Sequence, residues 1–198
     1  MREYAKIVTL LAILATLTQC VPAAIVSAGG AGAELGMQDR TVGRSFDDLA
    51  LKASVSKKFF DKDINDLFKN VEVDVIEARV FLTGSVKSTE TEINAVKLAW
   101  QVPRVKEVIN EIQVDDQSGL LDYARDAWIQ RQIGTQMLFT KGIRSTNYTV
   151  ECVNGVVYLM GLAYDENELR KVNDIASRTK YVKEVINHAV LKNDPRRG

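Results

Sequence analysis

The sequence predicts an α+β fold: two tandem small αββαβ domains, each a three-stranded mixed sheet with two helices on one face. Three observations predict it. Val80-Phe81-Leu82-Thr83-Gly84 returns as Val157-Tyr158-Leu159-Met160-Gly161, and the hexapeptide VKEVIN at 105–110 returns unchanged at 182–187, both at an offset of 77. Over residues 71–114 that offset gives 11 identities: Val73, Val80, Leu82, Gly84, Ala99 and the six residues 105–110. Within each copy, apolar residues recur first every four positions and then every second position, the periods of a helix and of strands. One offset across two separated motifs marks a duplication, and units of about 70 residues are small domains with marginal cores.

In the first copy Leu51, Val55 and Phe59 line one helical face, with Ser45 and Asp47 as candidate caps before them. Val71, Val73 and Val75 alternate with Glu72 and Asp74, a half-buried strand. Val80 and Leu82 continue on a second strand that Gly84 ends. Thr89 to Trp100 forms the second helix, with Leu98, Ala99 and Val102 on its apolar side and Pro103 stopping it. Val105 to Val114 is the last strand; Val108, Ile112 and Val114 share one parity, while Ile109 points to the other face. The second copy repeats this order. Ile129, Ile133 and Met137 share a helical face, and Tyr148, Val150 and Cys152 alternate. Asn154-Gly155 makes a type I′ hairpin, whose two central residues need positive φ. Val157 and Leu159 run to Gly161, Glu166 to Arg178 is helical, and Val182 to Leu191 is the last strand.

The N-terminus speaks of placement. Arg2 and Lys6 precede an apolar run from Ile7 to Leu17, too short to span a bilayer and built like a secretion signal. Leu17-Thr18-Gln19-Cys20 resembles the lipobox of bacterial lipoproteins, with Gln19 where a small residue is usual. That resemblance implies acylation of Cys20 and, with Val21 following, export to the outer membrane. An ordinary signal-peptide cut near Ala23 or Ala24 is the other reading. The expected organisation is a lipoprotein-type signal peptide at 1–19, a Gly/Ala-rich tether at 20–45, a first domain at 46–115, a linker at 116–121, a second domain at 122–191 and a polar tail at 192–198.

Composition excludes several functions. Lys plus Arg and Asp plus Glu are both 26, and a chain starting at Cys20 carries 24 basic and 25 acidic residues, formally −1. No strong field points at nucleic acid. Two cysteines and the lone His188 cannot make a four-ligand Cys/His zinc site. Asp47-Asp48 and Asp115-Asp116 are sequence neighbours, which do not face one another as a general acid and base must. Gly29, Gly30, Gly32 and Gly36 follow no strand and precede no Lys-Ser or Lys-Thr, so they form no phosphate loop. The expectation is a non-enzyme with no metal or other cofactor.

The organisation resembles the BON-domain family. The residues that carry the likeness are VEVDVIEARVFLTGSV at 71–86 with VPRVKEVINEIQV at 102–114, and YTVECVNGVVYLMGLA at 148–163 with VKEVINHAVL at 182–191. The structural positions are Gly84, Gly161, Asn154 and Gly155. The resemblance implies a periplasm-facing outer-membrane location and binding of anionic phospholipid through the second domain, in support of envelope integrity. It also implies a tryptophan at the place of Trp128, which is expected to open the first helix of the second copy. Beside it Arg125 and Arg131 would meet lipid phosphates, with Leu138, Phe139, Lys141 and Arg144 extending the surface. The same residues could instead pack at the core edge or finish the helix. Two alternatives stand beside this one: an adaptor docking envelope proteins, and a soluble periplasmic osmotic-stress protein without an anchor. Trp100 is expected to be structural, covering the seam between copies.

Overall fold

The structure, a computed structural model, describes residues 42–115, 119–195 and 197. The signal peptide, most of the tether and Cys20 lie outside these residues. Helix α1 (Val42–Lys62) is followed by a short π-helical turn (Ile64–Phe68), strands β1 (Val71–Ile76) and β2 (Arg79–Val86), helix α2 (Thr89–Trp100) and strand β3 (Glu107–Val114). The second copy comprises α3 (Leu120–Phe139), a 3-10 turn (Ser145–Asn147), β4 (Tyr148–Val153), β5 (Val156–Ala163), α4 (Glu166–Arg178), β6 (Glu184–Asn187) and β7 (Val190–Leu191).

Each sheet is mixed. β2 runs antiparallel to β1 and parallel to β3, and β5 stands in the same relation to β4 and to β6 and β7. The registers match at the repeat offset, Val71↔Gly84 becoming Tyr148↔Gly161. In the first core, Leu51, Val55 and Phe59 of α1 pack with Val73, Val80, Leu82, Ala95, Ala99 and Ile112. The second core repeats it with Ile129, Ile133, Met137, Cys152, Val157, Leu159, Val172 and Ala176.

The expected last strand of the second copy is broken. Beside the break the Asn187 side chain accepts the Ala189 N–H at 2.9 Å, while the His188 N–H still donates to the Leu159 carbonyl at 2.7 Å. Pairing resumes at Val190 opposite Leu162 without a register slip. In the first copy the corresponding contact, Ile112 N–H to Asn110 Oδ1, is longer at 3.3 Å and β3 stays continuous.

A third apolar cluster joins the copies. Ile76, Phe81 and Ile109 on the back of the first sheet pack with Tyr158 and Met160 on the back of the second. The parity of Ile109 now has its reason. Phe81 meets Tyr158 edge-to-face at 6.3 Å, and Glu111 meets His188 Nε2 at 2.6 Å. Each of these pairs joins a residue to its own repeat equivalent, as happens along an internal two-fold axis. The Gln113 amide donates to Tyr158 Oη and to the Val153 carbonyl. The helices therefore occupy opposite outer layers, with two sheets between them. Trp100 does not cover this seam: it is 52% exposed on α2.

Candidate functional site

The two ends of each β-hairpin show how the outer helices are positioned. Both hairpins turn through two residues of positive φ: Asn154 (54°) and Gly155 (83°) in the second copy, Glu77 (56°) and Ala78 (64°) in the first. A buried aspartate on the first helix of each copy holds the turn. Asp48 accepts the N–H groups of Glu77 and Ala78 at 2.8 and 2.9 Å, and Asp126 accepts those of Asn154 and Gly155 at 2.6 and 2.8 Å. Asp126 also takes the Cys152 thiol at 3.3 Å. Burial, with that carboxylate beside it, raises the thiol's pKa, so the cysteine is an inert core residue. Ser45 and Asp47 lie inside α1, which starts at Val42, so neither starts the helix. Asp47 instead pairs with Arg104 at 3.0 Å.

α3 begins at Leu120, so Trp128 sits mid-helix and does not open it; the Asp122 carboxylate accepts the Gly119 N–H at 3.3 Å at this start. The longer helix carries two apolar faces. Ile129, Ile133 and Met137 are buried, while Leu121 (79%), Trp128 (43%), Leu138 (64%) and Phe139 (81%) are exposed. Residues seven and eleven apart return to nearly the same side of a helix, so Leu121, Trp128 and Phe139 form one stripe about 27 Å long. Arg125 and Arg131, both exposed, flank it one turn to either side of Trp128.

The structure adds two residues that the sequence reading missed. Tyr181, held at φ 71° in the loop after α4, stacks edge-on against Trp128 at 5.6 Å. Lys180 Nζ lies 4.6 Å from the Tyr181 ring centre and the Arg125 guanidinium 5.9 Å from it. Lys180, and to a smaller degree Arg125, lowers the Tyr181 pKa from its ordinary value. Two aromatic rings and two cations thus meet on the outer layer of the second domain. No local pattern marks Tyr181, which is brought to Trp128 only by the packing of α4 on α3.

The remaining expected residues separate from this cluster. Phe139 ends the stripe and Leu138 lies about a quarter turn to its side at the end of α3, with Lys141 exposed just beyond, its carbonyl accepting Lys171 Nζ at 3.2 Å. Arg144 is held elsewhere. Its N–H bonds buried Glu168 at 2.7 Å, its guanidinium reaches the same carboxylate at 3.4 Å, and it stacks 4.1 Å over Tyr164. Gly161 is required by space, since a Cβ there would stand 2.7 Å from the Asn147 carbonyl oxygen. Gly84 is required twice over: its φ is +125°, and a Cβ would collide with the Asn70 carbonyl.

Among the described residues no group of three or more His, Cys, Asp or Glu is placed to hold a metal ion, and no helix is long and apolar enough to cross a membrane. The sequence profile of the BON domain matches residues 47–116 and again 125–193. The chain belongs to the BON-domain family. The chain is similar to a protein of Anaplasma centrale from the gshII 5′ region, 44% identical over 74% of this chain and 95% of the relative. The outer membrane lipoprotein DolP of Haemophilus influenzae is 30% identical, over 91% of this chain and 93% of its own. Osmotically-inducible protein Y of Escherichia coli is 29% identical, over 82% of this chain and 81% of its own.

Proposed function

We propose that this BON-domain protein is a non-catalytic envelope protein that binds the anionic phospholipid surface of the outer membrane from the periplasmic side and supports envelope integrity. The single observation that carries the reading is the Trp128–Tyr181 pair ringed by Arg125 and Lys180 on the outer face of α3. Indole and phenol rings favour the headgroup level, and each neighbouring Lys or Arg adds about 1 kcal/mol at an anionic surface. Arg131 and Lys180 together supply about 2 kcal/mol, Arg125 being shared with Asp122 at 3.0 Å, a weak contact for a chain with no net charge to help it. Acyl chains on Cys20 would make that contact intramolecular, so weak local binding would suffice. The similarity to an outer membrane lipoprotein supports this arrangement. Arg144, committed to Glu168, is not part of the proposed surface.

Vesicle co-sedimentation of unacylated protein tests the contact. Trp128→Ala with Arg131→Ala is expected to cut binding to phosphatidylglycerol vesicles about tenfold or more with the fold intact; unchanged binding would end the membrane reading.

A second reading is a soluble periplasmic protein without an anchor, favoured by the similarity to osmotically-inducible protein Y. Its first domain has a docking surface to offer: Phe46, Leu49 and Phe60 on α1 are each at least half exposed. The intact mass of protein from native membranes separates the two. Acyl mass on a chain beginning at Cys20 supports the anchored form; cleavage beyond Cys20 supports the soluble one.

A further inference from the structure

One side of the interdomain seam holds more carboxylate than cation. Glu72 and Asp74 on β1 and Glu151 on β4 occupy the sheet faces that turn toward each other, and Glu72 and Glu151 line one interdomain cavity of about 650 Å3. Lys52 of α1 serves both β1 carboxylates, at 3.2 Å to Glu72 and 3.0 Å to Asp74. From α3, the Gln130 amide donates to Glu151 at 2.7 Å. Asp126, on the same helix, is engaged with the hairpin turn. Lys69, Lys87, Asp115, Tyr123 and Cys152 complete the titratable lining of the cavity.

We propose that this joint is proton-sensitive: protonated Glu151 keeps the two sheet backs closed, and its ionisation beside Glu72 and Asp74 loosens them. The reading is independent of any membrane contact. Closure buries Ile76, Phe81, Ile109, Tyr158 and Met160 against one another. Burial first, then Asp74 and Glu72, pushes the Glu151 carboxyl up to about 7, with Gln130 and Lys52 offsetting part of the rise. Asp74 is raised too, again chiefly by burial.

The sign follows from proton linkage. Between an ordinary glutamate pKa and about 7 the closed form holds a proton that the open form releases, so rising pH favours opening. The contribution to closure is complete below the ordinary glutamate range and is lost as pH rises through about 7. A group partly open to solvent is screened, so the closing equilibrium is expected to change by about tenfold to a hundredfold across this window.

Hydroxyl-radical footprinting of the full chain between pH 5.5 and 8.5 reads this out. Labelling of Tyr158 and Met160, both buried in the seam, is expected to rise about tenfold or more, while Met137 in the second core stays protected. In Glu151→Gln the seam is expected to remain protected throughout. This variant leaves the His188–Glu111 pair untouched. Glu72→Gln with Asp74→Asn is expected to move the step toward the ordinary carboxylate range, which keeps the test available should Glu151→Gln fold poorly. Equal protection at both pH values in the wild type, or the same rise in wild type and Glu151→Gln, would overturn the proposal.

Discussion

The two domains share an interior and differ outside. At an offset of 78 the first helices superimpose core residue on core residue, Leu51 with Ile129, Val55 with Ile133 and Phe59 with Met137, and Asp48 with Asp126. On the outer face the same offset pairs Asp47 with Arg125, Ala50 with Trp128, Ala53 with Arg131 and Asp61 with Phe139. Core packing tolerates little change, whereas a solvent-facing helix position is free to acquire a new role. The duplication thus kept one scaffold and, at these four outer positions, placed cations and aromatic rings on the second copy only. Asp61 of the first copy is instead spent on an ion pair with Lys57.

Substitutions in the shared interior test how alike the two copies are, and the largest effect is expected at the paired glycines. Gly84→Ala meets both a backbone clash and an unfavourable φ, while Gly161→Ala meets only close contacts. Chemical denaturation is expected to show a loss of at least about 3 kcal/mol for Gly84→Ala and a smaller one for Gly161→Ala. Next come the helix-borne aspartates. Asp126→Ala removes the acceptor of two turn N–H groups and is expected to cost about 2–3 kcal/mol, with Asp48→Ala costing as much in the first copy. A smaller change tests the turns themselves. Ala78 holds positive φ where the second copy has Gly155, so Ala78→Gly is expected to stabilise the protein by about 0.5–1 kcal/mol. Smallest is Trp128→Ala: the indole is 43% exposed, and a stability change within about 1 kcal/mol is expected from thermal melts. A larger loss would mean that the ring is a packing residue.

Much of the architecture was legible because it rests on periodicity. Alternating valines and the repeated VKEVIN mark the strands, and the Ile109 parity pointed to a second covered face before Phe81 and Tyr158 supplied the cover. The Glu77-Ala78 turn was not legible, since neither residue favours positive φ and the force that imposes it comes from Asp48, far back on α1. The break after Asn187 was not legible either, since it follows a hexapeptide identical to that of the unbroken strand. At the candidate site, Trp128 with Arg125 could be read from helical spacing. Lys180 and Tyr181 could not, because they arrive through tertiary packing, and Arg144 was misplaced because nothing local announces its buried partner Glu168.

Under the proposed function, membrane contact belongs to the second domain's outer helix and not to the equivalent face of the first. Vesicle co-sedimentation of the unacylated full chain compares the two faces directly, with Trp128→Ala/Arg131→Ala on α3 set against Phe46→Ala/Leu49→Ala on α1. The α3 pair is expected to lose binding to phosphatidylglycerol vesicles while the α1 pair binds as the wild type does. Loss with the α1 pair alone, or equal binding by both, would contradict it.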